Sequence, residues 1–223
     1  MSFDAVAWIY GALETIVFGN ALQRARTAFA GALRDRRNAL LAGEGNGRSL
    51  GALLTSNRDL RVTCVDSSAK MIELGRKRLR DSQQLARVEF VHADLLEAEL
   101  PRSDYDLVVT NFFLDCFDED ELPLVVAKIG SFTAPVSTWI ISEFALPSRG
   151  PARVVGKVLI AVMYRFFWLT AGISASRLPH YRPLLEQHGF RCVKRREFVS
   201  GIVRAELWER TITALALDHD VTV

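Results

Sequence analysis

The sequence predicts an α/β protein: a Rossmann-like, mainly parallel sheet with helices on both faces and a C-terminal antiparallel hairpin. Three observations carry this prediction. From residue 38 onward, short apolar runs alternate with helical patterns, the signature of strands joined by crossover helices. A turn with glycines at alternate positions, Gly43-Glu44-Gly45-Asn46-Gly47, leads from the first apolar run into a helix. The last two runs, Phe190 to Val199 and Ile202 to Glu209, meet near Ser200-Gly201 and read as a hairpin.

Residues 3–37 read as helix. Ala5, Trp8, Ile9, Ala12, Leu13, Ile16 and Val17 recur at helical spacing, and Gly19-Asn20 marks a break. A second helix is predicted from Ala21 to Arg36, with Leu22, Ala25, Phe29 and Leu33 on one face. The strands that follow are Ala39–Ala42, Leu60–Val65, Val88–Val91, Asp106–Thr110 and Thr138–Glu143. Between them lie helices at Ser49–Thr55, at Ala69–Arg80 (capped by Ser67 or Ser68) and at Glu119–Ser131. A helix over Tyr181–His188 closes at Gly189, a residue suited to the left-handed position after a helix. The residues from Thr211 onward carry no readable pattern.

Composition narrows the function. The 223 residues are 49% hydrophobic and 24% charged, and the formal charge of +2 is too small to point to nucleic acid. Basic residues bunch at Arg24, Arg26, Arg34, Arg36 and Arg37 and at Lys194, Arg195 and Arg196, and read as solvated faces. Cys64, Cys116 and Cys192 lie far apart with no metal-ligand spacing, so they read as reduced core thiols, and no metal is expected. The N-terminus lacks the basic start of a signal peptide, consistent with a cytoplasmic protein. Lys157 and Arg165 interrupt the apolar stretch Val154–Ile173, leaving runs well short of the ~20 residues of a spanning helix. It reads as a buried or surface-docked helix.

The chemistry concentrates at the strand ends. Where a strand turns sharply into a helix, a ligand reaches the backbone only if no Cβ intervenes, and the helix start offers free amides. Asp66 ends the second strand, about 20 residues beyond the glycines, where a carboxylate accepts from both hydroxyls of a ribose. Asp94 ends the third strand on the same sheet edge. Together they read as a nucleoside pocket.

The ordered series Gly43-Glu44-Gly45-Asn46-Gly47, Val65-Asp66-Ser67-Ser68-Ala69-Lys70-Met71, His92-Ala93-Asp94-Leu95 and Tyr105-Asp106-Leu107-Val108-Val109-Thr110-Asn111-Phe112 resembles the class I S-adenosylmethionine (SAM)-dependent methyltransferases. The likeness is greatest to the small-molecule enzymes of ubiquinone and menaquinone biosynthesis and covers roughly residues 38–144. The resemblance implies SAM as cofactor and S-adenosylhomocysteine (SAH) as product. It implies that Gly43, Glu44, Gly45 and Gly47 hold the methionine part, Asp66 with Ser67 the ribose, and Met71, Asp94 and Leu95 the adenine, with Asn111 near the reacting end. It also implies a lid at residues 1–37, where Tyr10 closes over the cofactor, and a SAM-binding domain at 38–223 with a substrate-covering insertion at about 147–179. One position departs from the family: Leu41 stands where an acid is usual, and Glu44 is expected to compensate in part.

The acceptor side is less specified. Asn111-Phe112-Phe113-Leu114-Asp115-Cys116-Phe117-Asp118 lacks the two prolines found in relatives that methylate amino groups of bases or protein amides. Its phenylalanines suit a small apolar or aromatic acceptor, and core packing explains them equally well. Asp115, His180 and Tyr181 are candidate proton-transfer groups. Tyr164, Phe166, Phe167 and Trp168 in the insertion suit, in that order, an apolar pocket wall, a subunit contact or a peripheral membrane contact. Two other functions compete. A non-catalytic SAM-binding or scaffold protein shares every motif. An NAD-dependent oxidoreductase needs GxGxxG, but Gly47 falls one residue early and Arg48 takes the expected place.

Overall fold

The apolar run at 38–42 becomes strand β1 (Asn38–Ala42), buried from Ala39 onward, as a strand covered on both faces must be. The computed structural model describes residues 18–44, 46–80, 82–171 and 177–211. Further strands are β2 (Arg61–Asp66), β3 (Val88–His92), β4 (Tyr105–Asn111), β5 (Thr133–Phe144), β6 (Phe190–Phe198) and β7 (Val203–Thr211). They form one seven-stranded sheet in the order β3-β2-β1-β4-β5-β7-β6. The β3-β2-β1-β4-β5 block is parallel, while β7 runs antiparallel to β5 and to the edge strand β6.

The helices are α1 (Ala21–Arg26), α2 (Leu50–Ser56), α3 (Ala69–Leu79), α4 (Glu121–Ser131), α5 (Pro151–Ala171) and α6 (Tyr181–Gln187). Because side chains alternate along a strand, the sheet has two apolar faces. Leu41, Val109 and Ile140 pack with Leu22 of α1, Leu53 of α2 and Ile160 of α5. Leu40, Val108, Trp139 and Ile141 pack on the other side with Val125 of α4 and Leu185 of α6. Leu41, in the position where an acid is usual, is wholly buried in the first of these cores.

Several local features match the sequence reading. Ser68, not Ser67, caps α3, its Oγ accepting from the Met71 amide at 3.2 Å. Gly189 follows α6 with φ +80°. The β6–β7 turn runs through left-handed Val199, Ser200 and Gly201. Elsewhere the structure differs. The helix predicted to reach Arg36 stops at Arg26, where the Thr27 hydroxyl donates back to the Gln23 carbonyl at 2.9 Å. A short 3-10 turn, Ala30–Leu33, follows and still delivers Leu33 to the core. β5 starts at Thr133 rather than Thr138, its first residues disguised by Pro135. Cys192 lies exposed on the edge strand, unlike buried Cys64, because β6 has little covering it.

Residues 18–37 are part of the first core rather than a detached layer, through Phe18, Leu22, Ala25, Phe29 and Leu33. Arg24 lies over the Phe198 ring and Arg196 over Phe29, fastening α1 and the 3-10 turn to β6. Residues 1–17, including Tyr10, lie outside the described residues, as do Gly45, Asp81, 172–176 and 212–223. No helix among the described residues is long and apolar enough to cross a membrane.

Candidate functional site

A cleft opens at the C-terminal edge of the parallel strands, where the order of an open α/β sheet reverses and its loops diverge. The loops after β1, β2, β3 and β4 bring Gly43, Glu44, Asp66, Ser67, Asp94, Leu95 and Asn111 to its walls, together with Met71 of α3. Every described residue predicted to bind cofactor except Gly47 therefore lines a single cavity.

The glycines have distinct reasons to be glycine. Gly43 has φ +71°, and a Cβ there would come within 2.1 Å of the Phe113 ring. Gly47 has φ +68°, and its Cβ would stand 3.2 Å from the Gly75 Cα, so the turn could not approach α3 as it does. Gly47 thus acts on packing and leaves the cavity wall to its neighbours.

Glu44 is buried and fully used. One carboxylate oxygen accepts from the Ser49 amide at the start of α2 (2.7 Å), and the other accepts from Asn111 Nδ2 (3.0 Å). This pairing turns the Asn111 amide, whose Oδ1 is buried with no hydrogen-bond partner among the described residues. A buried acceptor of this kind calls for a donor, from an ordered water or from a ligand. At the next strand ends, Asp66 accepts from the Ser68 amide at 2.8 Å and Asp94 from the Leu96 amide at 2.9 Å. Each carboxylate is thereby oriented by its own loop. Val65, Met71, Ala93 and Leu95 form an apolar slot between them.

The other half of the cleft is aromatic. Phe112, Phe113, Phe117, Phe144, Met163 and Tyr164 line it. Phe112 holds a left-handed backbone at φ +53°, unusual for a bulky residue. Its amide donates to the Ser142 carbonyl at 2.7 Å, and its ring meets Phe144 with centroids 4.8 Å apart. The Arg26 guanidinium lies over the same ring at 4.9 Å.

Two carboxyls sit beneath this half. Asp115 lines the cleft at 9% exposure, and burial pushes its pKa up to about 6. Glu143, at the end of β5, accepts from the Phe113 and Leu114 amides at 3.1 and 2.9 Å, gripping the loop that carries Asp115. Burial, reinforced by the Asp115 charge, raises the Glu143 carboxyl well above its ordinary value. Its Oε2 is buried without a hydrogen-bond partner among the described residues. Burial also raises the Cys116 thiol, which points at Asp115 Oδ1 from 3.8 Å.

His180 and Tyr181 do not join this site. His180 is exposed and precedes α6. Tyr181 is buried, but its hydroxyl donates to Glu206 Oε2 at 3.2 Å. Burial and the Glu206 charge hold that phenol strongly protonated. Glu206 also meets Arg182, Arg195 and the Trp208 indole, so Tyr181 belongs to a structural network beside β7, on the sheet face covered by α4 and α6.

Sequence reasoning missed Arg26 and Glu143. Arg26, grouped with solvated basic residues, is 6% exposed and faces the cleft. Its spacing, four residues after Leu22 and three before Phe29, was a usable signal, since both neighbours are core. Glu143 stands near the end of β5, as Asp66 does at the end of β2 three strands away across the sheet.

Known proteins place this chain in context. Residues 39–135 match a family model described as a methyltransferase domain. The chain is 29% identical over 216 residues to a demethylmenaquinone methyltransferase of Clavibacter sepedonicus, covering 90% of this chain and 85% of that one. It is 30% identical over 161 residues to a carboxy-S-adenosyl-L-methionine synthase of a Geobacter species, covering 69% and 62%. Among solved structures it is similar in fold to the 1,6-didemethyltoxoflavin-N1-methyltransferase of Burkholderia thailandensis, whose structure holds its substrate and SAH. That likeness has TM-score 0.63 and 20% identity, over 94% of this chain and 86% of that one. A second fold match is the mitomycin 7-O-methyltransferase MmcR, with TM-score 0.68 and 20% identity over 86% of this chain; the match spans 55% of that longer protein.

Proposed function

This chain carries a class I SAM-dependent methyltransferase domain, and on that premise we propose that it moves the methyl group of SAM to a small apolar or aromatic acceptor held in the aromatic half of the cleft. The observation that carries this reading is the division of one cavity into two chemistries. Oriented hydrogen-bond acceptors and an apolar slot occupy one side, and phenylalanines above a buried carboxyl occupy the other.

The residues present fit the cofactor. Asp66 accepts from the ribose hydroxyls and Asp94 from the adenine amino group, with the base between Met71 and Leu95. The orphaned Asn111 Oδ1, backed by the Glu44 charge, accepts from the ammonium of the methionine end. Glu44 thus takes over the electrostatic part of the missing acid while Leu41 serves the core. SAM supplies an electrophilic methyl on a sulfonium. The protein aligns the acceptor in line with it and keeps water out, the work of Phe112, Phe117 and Tyr164.

Asp115 takes the proton of an acceptor O–H or N–H as the methyl arrives. With its pKa near 6, Asp115 is ionised at neutral pH and still basic enough to help, as general base catalysis requires. Glu143 is a positioning residue: it fixes the loop on which Asp115 rides.

The test is methyl transfer from labelled SAM to a panel of phenols, quinols and heterocyclic N–H compounds. The reading expects at least one methylated product with matching SAH. Binding of SAM with no transfer to any class would replace it with the scaffold alternative.

A further inference from the structure

We propose that the outer face of α5 docks on the anionic surface of a lipid bilayer. The helix has two faces with different surroundings. On the inner side Ile160 is buried and Gly156 presses on Ile202, its Cβ position 3.3 Å from that side chain. Met163 and Tyr164 line the cleft. On the outer side Val154, Val155, Val158 and Val162 are 66%, 59%, 60% and 61% exposed. At about 3.6 residues per turn these valines fall within roughly 100° of arc, so they form one stripe.

A solvated helix face has no use for such a stripe. Valine is a poor helix former because its branched Cβ loses rotamer freedom against the preceding turn. Placed outside, it returns no packing either. The stripe therefore implies a partner that covers it.

Charge selects the partner. Between Glu143 and Glu186 the sequence contains no acidic residue, in a chain with 26 of them. The same span holds Arg149, Arg153, Lys157, Arg165, Arg177 and Arg182. Arg177 pairs with Glu119, Arg182 with Glu206, and Arg153 donates to the Pro147 carbonyl. Lys157 is exposed on α5 itself, beside the valines. A second copy meeting this face across a two-fold axis would set cations against cations. An anionic lipid surface answers both properties: headgroups attract the cations, and the valines enter the boundary of the acyl region. The helix lies on the surface rather than crossing it. Docking brings the cleft wall formed by Met163 and Tyr164 to the lipid side of the molecule.

The experiment is vesicle co-sedimentation of the full chain. Vesicles of equal parts phosphatidylglycerol and phosphatidylcholine are compared with pure phosphatidylcholine, alongside light scattering of the protein alone. The proposal expects binding to the anionic vesicles only, weakened by salt. Val158→Asp with Val162→Asp reduces it at least ~10-fold, and Lys157→Gln about fivefold. Both sites are exposed, so circular dichroism and melting of the variants stay at wild-type values. Equal binding to both vesicle types, or to neither, overturns the proposal. So does a dimer that the two aspartates dissociate, which would make the face a subunit contact.

Discussion

Replacing Asp115 with Asn is expected to stabilise the protein and impair it together. The carboxyl is 9% exposed and its pKa is raised from 3.8 to about 6, chiefly by burial. A raised folded-state pKa means that the folded protein binds a proton the unfolded chain releases. Stability is therefore unpenalised below about pH 4, declines as pH rises from about 4 to about 6, and stays lower above that. A shift of about two units at roughly 1.4 kcal/mol each puts the penalty near 3 kcal/mol. Asn is nearly isosteric and never ionises, so Asp115→Asn removes the penalty. The assay is urea unfolding of both proteins from pH 4 to pH 8. The variant is expected to be more stable by up to about 3 kcal/mol at pH 7 to 8, with the two converging near pH 4. The neighbours raised partly by the Asp115 charge, Glu143, Cys116 and Tyr164, do not cancel in the difference, and each shifts the result in the same direction. Turnover should fall by about 10²–10⁴-fold, the usual contribution of a general base. Parallel stability curves with a constant offset would refute the buried-carboxylate reasoning. An unchanged turnover would remove Asp115 as the base.

Other predictions test neighbouring parts of the account. Tyr181→Phe removes the hydrogen bond to Glu206 and should cost about 1 kcal/mol in thermal or urea unfolding while leaving kcat unchanged. Arg210→Ala should cost about 3 kcal/mol in urea unfolding, because its guanidinium donates to the Gly130, Thr133 and Ala134 carbonyls and to the Thr133 hydroxyl, tying β7 to the α4–β5 turn. Phe113→Ala should tighten SAM binding about fivefold by calorimetry, since the ring stands over Gly43, the proposed place of the methionine end, and removing it avoids about 1 kcal/mol of displacement.

Much of the fold was legible because strands buried on both faces leave unbroken apolar runs, as at Leu40-Leu41-Ala42 and Leu107-Val108-Val109. The strand-end wall of the cleft was equally legible. Its residues sit at strand ends and glycine turns, where the backbone dictates the residue type, and Gly43, Asp66, Asp94 and Asn111 all reach the same cleft. The acceptor side was not legible, because it depends on which face a side chain takes. Tyr181 follows the insertion in sequence, yet α6 turns it toward Glu206. Glu143 ends a strand and resembles a solvent-facing residue until the loop after β4 folds back onto it. Arg26 is hidden by its arginine-rich neighbourhood, although its helical phase with Leu22 and Phe29 marks it as inward. The end of the second helix was misplaced because Thr27 bonds back to its own helix, a choice no periodicity reveals.

The most direct test of the central claim is titration calorimetry with SAM and with SAH, on the wild-type chain and on Asp66→Ala. The account predicts saturable binding of both ligands at one site per chain, with Kd of about micromolar order. The variant should be weaker by at least about tenfold, the loss expected if Asp66 accepts from the ribose as proposed. Absence of saturable binding of both SAM and SAH to the wild-type chain would contradict the account.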